Sequence, residues 1–140
     1  MSSRSTSFRL SDEAKQRLAK RSDHEGVSAT ALLERLIVEG VDTLDHPGIV
    51  YRGALHDRRA ALTAGPDVWE VVARLRELTG SEEERIATLA KESELHPRQI
   101  RTAIDFAAEH REQIDSRIRR NEEAAEASRR AAEEREALLA

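Results

Sequence analysis

The chain contains no cysteine, and this one absence removes disulfides, thiolate metal sites and a cysteine nucleophile together. It fits a reducing compartment, so the expected location is the cytoplasm. Aromatic residues are nearly as scarce: two Phe, one Trp and one Tyr among 140 residues. With so little bulk, large enclosed clefts are not expected, and domains this small commonly gain stability from a partner subunit. No run approaches the roughly 20 apolar residues of a membrane helix, and Met1 to Ser7 lacks the apolar segment of a secretion signal. The five histidines, His24, His46, His56, His96 and His110, show no metal-ligand spacing, and His24 and His110 are placed on polar helix faces. A phosphate-binding glycine loop and a glycine-flanked serine are also missing. Neither a metal, a cofactor nor an enzymatic activity is therefore expected.

Charge, by contrast, is abundant: 36% of residues are Asp, Glu, Lys or Arg, with a net charge of -4. Its distribution is uneven. Residues 1–21 hold six Arg or Lys against two Asp or Glu, a balance of +4, whereas residues 67–110 hold six against ten, a balance of -4. Only the N-terminal end has the electrostatic footprint of a polyanion-binding protein.

Apolar periodicity places the elements. Thr6, Phe8 and Leu10 alternate with Ser5, Ser7 and Arg9, the period-2 signature of a short strand with one buried face. Ser11 is a helix cap followed by Asp12 and Glu13, Ala14 and Leu18 give that helix a narrow inner face, and Gly26 supplies a left-handed stop. Ser28 caps a second helix whose apolar positions Leu32, Leu33, Leu36, Ile37, Val41 and Leu44 form a stripe too broad for the first helix to cover. A lone strand is unstable and its edge needs a neighbour. All three elements call for a second copy of the chain.

After His46-Pro47-Gly48, the segments Ile49 to Arg52 and Arg59 to Leu62 predict a hairpin turning around Gly53 and Asp57. Gly65-Pro66-Asp67 opens a helix with Val68, Trp69, Val71, Val72 and Leu75 inward, closed by Gly80, and Trp69 is a core residue rather than a recognition aromatic. Ser81 to Glu84 has capping-box spacing and starts another helix. Pro97 starts a further one, for which no stop is evident, so Ile100, Ile104, Ala107, Ile114 and Ile118 are expected to form one continuous stripe. Beyond Asn121 the chain is Ala, Glu and Arg, with high helix propensity and little to bury; a partly helical, frayed tail is expected.

The run Ser5-Thr6-Ser7-Phe8-Arg9-Leu10-Ser11, then Gly26-Val27-Ser28 and the leucine-rich second helix, resembles the ribbon-helix-helix repressors of the Arc, MetJ and CopG type. The resemblance covers about residues 4–44. It implies a homodimer, or a higher assembly, whose two strands pair antiparallel and enter the major groove of double-stranded operator DNA. Ser5, Ser7 and Arg9 would then face base edges, Arg9 being the residue able to hold guanine through two bonds. Ser28 with the amides of Ala29 and Thr30 would hold a phosphate, and Arg4 would add a backbone contact. The plainer alternatives are a solvated strand face and, for Ser28, an ordinary cap.

Residues 46–115 resemble the hairpin and helix-turn-helix module of VapB-type antitoxins, through Gly65-Pro66-Asp67-Val68-Trp69-Glu70-Val71-Val72, Leu95 to Ile104 and Ala108-Glu109-His110. That likeness implies a recognition helix with Arg98, Gln99, Arg101 and Thr102 at its start, as a second DNA-binding set. The negative balance of the segment leaves a scaffold, a protein-binding or a dimer-stabilising role as alternatives. In such antitoxins the C-terminal part wraps a PIN-like ribonuclease toxin. Here that part is residues 116–140, with Arg129, Arg130, Arg135, Leu138 and Leu139 as toxin-binding candidates. The fold expected is thus mostly α with a short β-ribbon, a hairpin plus helix-turn-helix module and a long C-terminal helix. The function implied is an autorepressing antitoxin; the alternatives are a freestanding transcription regulator and an interaction adaptor whose ribbon serves dimerisation only.

Overall fold

The computed structural model describes residues 4–140. Met1 lies outside them, as do Ser2 and Ser3. Among the described residues the chain is mostly helical with one two-stranded antiparallel sheet: α1 (Asp12–Glu25), α2 (Ala29–Asp45), β1 (Ile49–Arg52), β2 (Arg59–Leu62), α3 (Val68–Glu77), α4 (Glu82–Glu92), α5 (Pro97–Glu109) and α6 (Arg111–Leu139). It divides into two compact units, Met1–Val41 and Asp42–Ala140. No helix among the described residues is long and apolar enough to cross a membrane.

In the first unit, Ser11 Oγ accepts the N–H of Ala14 at 3.1 Å and caps α1, and Gly26 ends it at φ +70, a conformation costly for any residue with a Cβ. Ser28 Oγ caps α2 in the same way, accepting from Ala31 N at 3.1 Å. Leu32 is buried. An ion pair ties the helices together: Arg35 Nη2 donates to both carboxylate oxygens of Glu25, at 3.0 and 3.1 Å, and Arg21 Nε donates to the same group. Burial acts to raise the pKa of Glu25, but the hydrogen bonds from Arg35 and Arg21 outweigh it and hold the carboxyl below its ordinary range.

The strand expected over Ser5 to Leu10 is not formed: residues 4–11 have no regular structure, and Phe8 is 77% exposed. The physical reason is the one that makes an isolated strand unstable, since its N–H and C=O groups find no neighbouring strand within this chain.

The second unit is built on the hairpin and four helices. β1 and β2 pair in the register Ile49↔Leu62, Val50↔Ala61, Tyr51↔Ala60 and Arg52↔Arg59. Gly53 turns the hairpin at φ +107, where a Cβ would stand 2.1 Å from the Asp57 carbonyl oxygen. Ile49 and Leu62 from the sheet, Val68, Val71 and Leu75 from α3, Ile86 and Leu89 from α4, Ile100, Ala103 and Phe106 from α5, and Ile114 and Ile118 from α6 form one core. Trp69 packs against it, half-buried, with its indole N–H donating to Asp67 Oδ2 at 3.1 Å. That use of Asp67, together with its bond from Arg59 Nε at 2.6 Å, explains why Asp67 precedes α3 without a side-chain cap bond.

Two expectations about the C-terminal half are corrected. The stripe from Ile100 to Ile118 is not one helix: His110, at φ -123 and ψ 39, separates α5 from α6. Its ring stacks on Phe106 at 4.0 Å and 5°, its Nδ1 lies 3.0 Å from the Phe106 carbonyl oxygen, and its Nε2 lies 3.2 Å from Asp42 Oδ1. These local bonds replace helix continuation. The tail, expected to fray, is helical to Leu139. Helix propensity is reinforced there by pairs three and four residues apart, from Arg129 to Glu126 and Glu133 and from Arg130 to Glu126.

Candidate nucleic-acid and partner interfaces

Arg4, Ser5, Ser7 and Arg9 are all exposed on the irregular N-terminal segment, beside the exposed Phe8 and the half-buried Leu10. On α2 the outward face is apolar: Leu36, Ile37, Val38 and Val41 are each about half exposed, and Leu44 at the far end is 80% exposed. An apolar face of this extent on a helix that otherwise buries only Leu32 marks an interaction surface. Ser28, Ala29 and Thr30 are exposed at the α2 N-terminus, where helix geometry leaves the first amides without intrahelical acceptors. Ser28 is a helix cap in this structure, the plainer of its two readings, and the amides of Ala29 and Thr30 remain the positive end of the helix.

In the second unit, three of the four residues expected at the start of a recognition helix are engaged by the fold. Gln99 Oε1 accepts the His96 N–H at 2.8 Å while His96 Nδ1 accepts the Arg98 N–H at 3.0 Å, a reciprocal cap of α5. Arg101 Nη2 donates to Glu83 at 2.9 Å, and Thr102 Oγ1 donates to the Arg98 carbonyl at 3.0 Å. Arg98 projects to solvent. The α4 N-terminus carries Glu82, Glu83 and Glu84, and their charge opposes approach of a phosphate backbone to this end of the module.

A cationic groove lies elsewhere, and sequence reasoning missed it. Arg58, Arg59, Arg117 and Arg120 line a cleft with Gln113 and Ser116. Arg117 hydrogen-bonds Asp57, and Arg59 Nη1 also donates to Asp57. The bond from Arg117 outweighs burial and holds the Asp57 carboxyl below its ordinary range. The four arginines come from the hairpin and from α6, about 60 positions apart, so no local charge run announces them.

On α6, Arg129 and Arg130 pair with Glu126, and Arg129 also with Glu133, all at the exposed surface. Such pairs are worth only about 0.3–0.5 kcal/mol each, so both side chains are readily redirected to another carboxylate. Arg135, Leu138 and Leu139 are exposed, and the last core residue of the helix is Ile118.

Finally, His46, Glu109 and His110 each place a ligand-type atom within 4.8 Å of the other two. The absence of a local metal spacing in the sequence gave no hint of this group, because His46 lies more than 60 positions from its two neighbours.

The fold and surfaces define a mostly helical protein with one small antiparallel hairpin, an exposed apolar helix face in its first unit and a long polar helix at its end. Comparison with protein-family models, with curated proteins and with solved structures gives no match to any of them.

Proposed function

We propose that this protein is the antitoxin of a type II toxin-antitoxin pair, which binds operator DNA as a ribbon-helix-helix dimer and neutralises a PIN-like ribonuclease. The observation that carries the reading is the first unit's uncovered apolar surface: Phe8, with Leu36, Ile37, Val38 and Val41 on α2. Burying an apolar side chain of this size gains about 1.5–3 kcal/mol when it goes from full exposure to full burial, so five half- to fully exposed ones supply a strong drive for a second copy to cover them. In the proposed dimer the segment from Ser5 to Leu10 pairs with its symmetry mate. Thr6, Phe8 and Leu10 then turn inward, and Ser5, Ser7 and Arg9 turn toward base edges in the major groove. Arg4 and the α2 N-terminus at Ser28, Ala29 and Thr30 contact phosphates.

For the second unit, the engagement of Gln99, Arg101 and Thr102 within the fold favours a scaffold over a second base-reading surface. The C-terminal part of α6 suits a protein partner. It is an exposed helix of Ala, Glu and Arg with Leu138 and Leu139 uncovered, and its arginines match the carboxylate cluster of a metal-dependent ribonuclease. A freestanding regulator shares the dimer and the DNA contacts and differs only in lacking the toxin partner.

Co-expression with the product of the adjacent gene tests the pairing. The full chain should co-purify with that product, and deletion of residues 121–140 should abolish the complex while leaving operator binding unchanged. A truncated chain that still protects cells from the ribonuclease would refute the role given to the tail.

A further inference from the structure

We propose that His46, Glu109 and His110 form a binding site for a divalent transition-metal cation of the zinc type. His46 follows the last turn of α2, Glu109 is the last residue of α5, and His110 is the break between α5 and α6. The imidazole of His46 is 9% exposed, and its Nε2 lies 2.7 Å from Glu109 Oε2. Donor atoms of all three residues fall within 4.8 Å of one another. Two imidazoles and one carboxylate are a donor set that zinc favours, with bonds of about 2.0–2.2 Å that place tetrahedral ligands about 3.4 Å apart. Reaching that spacing requires the closest pair to open and the widest to close. Glu109, whose side chain is 67% exposed, has the freedom to move.

The second observation is the hydrogen bonding of His110. Its Nδ1 lies 3.0 Å from the Phe106 carbonyl oxygen, which can only accept, so Nδ1 carries a proton. In the neutral ring the lone pair is then on Nε2. That atom faces Asp42 Oδ1 at 3.2 Å, whose partner oxygen accepts the Tyr51 hydroxyl at 2.6 Å. A lone pair aimed at a carboxylate is relieved only by a cation, and an imidazole N–H held by a backbone carbonyl is the outer-shell arrangement that orients metal-ligating histidines. Asp42 brings further negative charge, so two neutral rings with two carboxylates match a dication. Glu109 and His110 also line a surface depression with Arg111, Glu112, Gln113 and Ser116, which gives the ion a way in.

The competing account is protons alone, with each ring simply paired to its carboxylate. Zinc titration of the untagged, chelator-stripped full chain separates the two. The expected result is uptake of one zinc per chain at micromolar concentration, a rise in melting temperature, and, with cobalt instead, the visible absorption of a tetrahedral ion. His46→Ala or His110→Ala should abolish uptake, and Asp42→Asn should weaken it about 10-fold, as loss of an outer-shell partner does. Ring resonances of the intact wild-type chain provide a reading that does not depend on any variant folding. Zinc should shift those of His46 and His110 and leave those of His24, His56 and His96 in place. Absence of uptake, or shifts confined to the other three histidines, would overturn the proposal.

Discussion

Phe106→Ala is the substitution expected to damage the second unit most directly. The ring is completely buried, stacked on His110 at 4.0 Å and met edge-on by His46 at 5.2 Å and Tyr51 at 6.3 Å. Removing a buried Phe costs about 3–5 kcal/mol through lost transfer energy and the cavity left behind. Each lost aromatic contact adds about 0.5–1.5 kcal/mol, which puts this site at the upper end, near 5 kcal/mol. A domain of ordinary stability has only about 5–15 kcal/mol in all, so the variant should be marginal or unfolded. Trp69, the lone tryptophan, packs against the same core, so its fluorescence during urea denaturation reports this unit. With a slope of about 1–3 kcal/mol per molar urea, the midpoint should fall by at least about 1.5 M. A loss below about 1 kcal/mol would show that the ring is not the packing centre it is taken to be.

Phe8→Ala should cost about 3–5 kcal/mol if the ring is fully buried between two copies, and sedimentation should then show dissociation of the dimer; a variant that stays dimeric with unaltered melting would place Phe8 outside the shared core. Acid should destabilise the second unit through carboxyls held below their ordinary range by arginine: Asp57 by Arg117, Asp115 by Arg76 and Glu92 by Arg74. Because the folded values are depressed, their contribution is complete above the unfolded values near pH 4 and is lost as pH falls further. Asp57→Asn with Asp115→Asn should flatten that acid limb of a melting-temperature profile, and an unchanged limb would contradict the ion-pair assignment.

Much of this fold was readable from short-range chemistry. Serine caps at Ser11, Ser28 and Ser81, the stop at Gly26, Pro97 at the start of a helix and the hairpin from Ile49 to Leu62 all rest on signals within a few residues of one another. What escaped depends on partners distant in sequence. The break at His110 arises from a ring that turns back onto Phe106 and reaches Asp42, so apolar spacing alone ran straight through it. The arginine groove joins the hairpin to α6, and the histidine group joins His46 to Glu109 and His110. The candidate DNA-contacting residues were placed by pattern and resemblance; the structure sets them on an exposed segment whose strand partner would have to come from another copy.

The measurement that tests the central claim most directly is DNA selection by the full-length protein from a pool of random duplexes, followed by binding of the selected duplex to wild type and Arg9→Ala. The account predicts enrichment of two related half-sites bound by a dimer. It also predicts that Arg9→Ala reduces discrimination between selected and random duplex by about 1–3 kcal/mol without loss of the dimer. A pool that is not enriched, or an isotherm unchanged by the substitution, would contradict it.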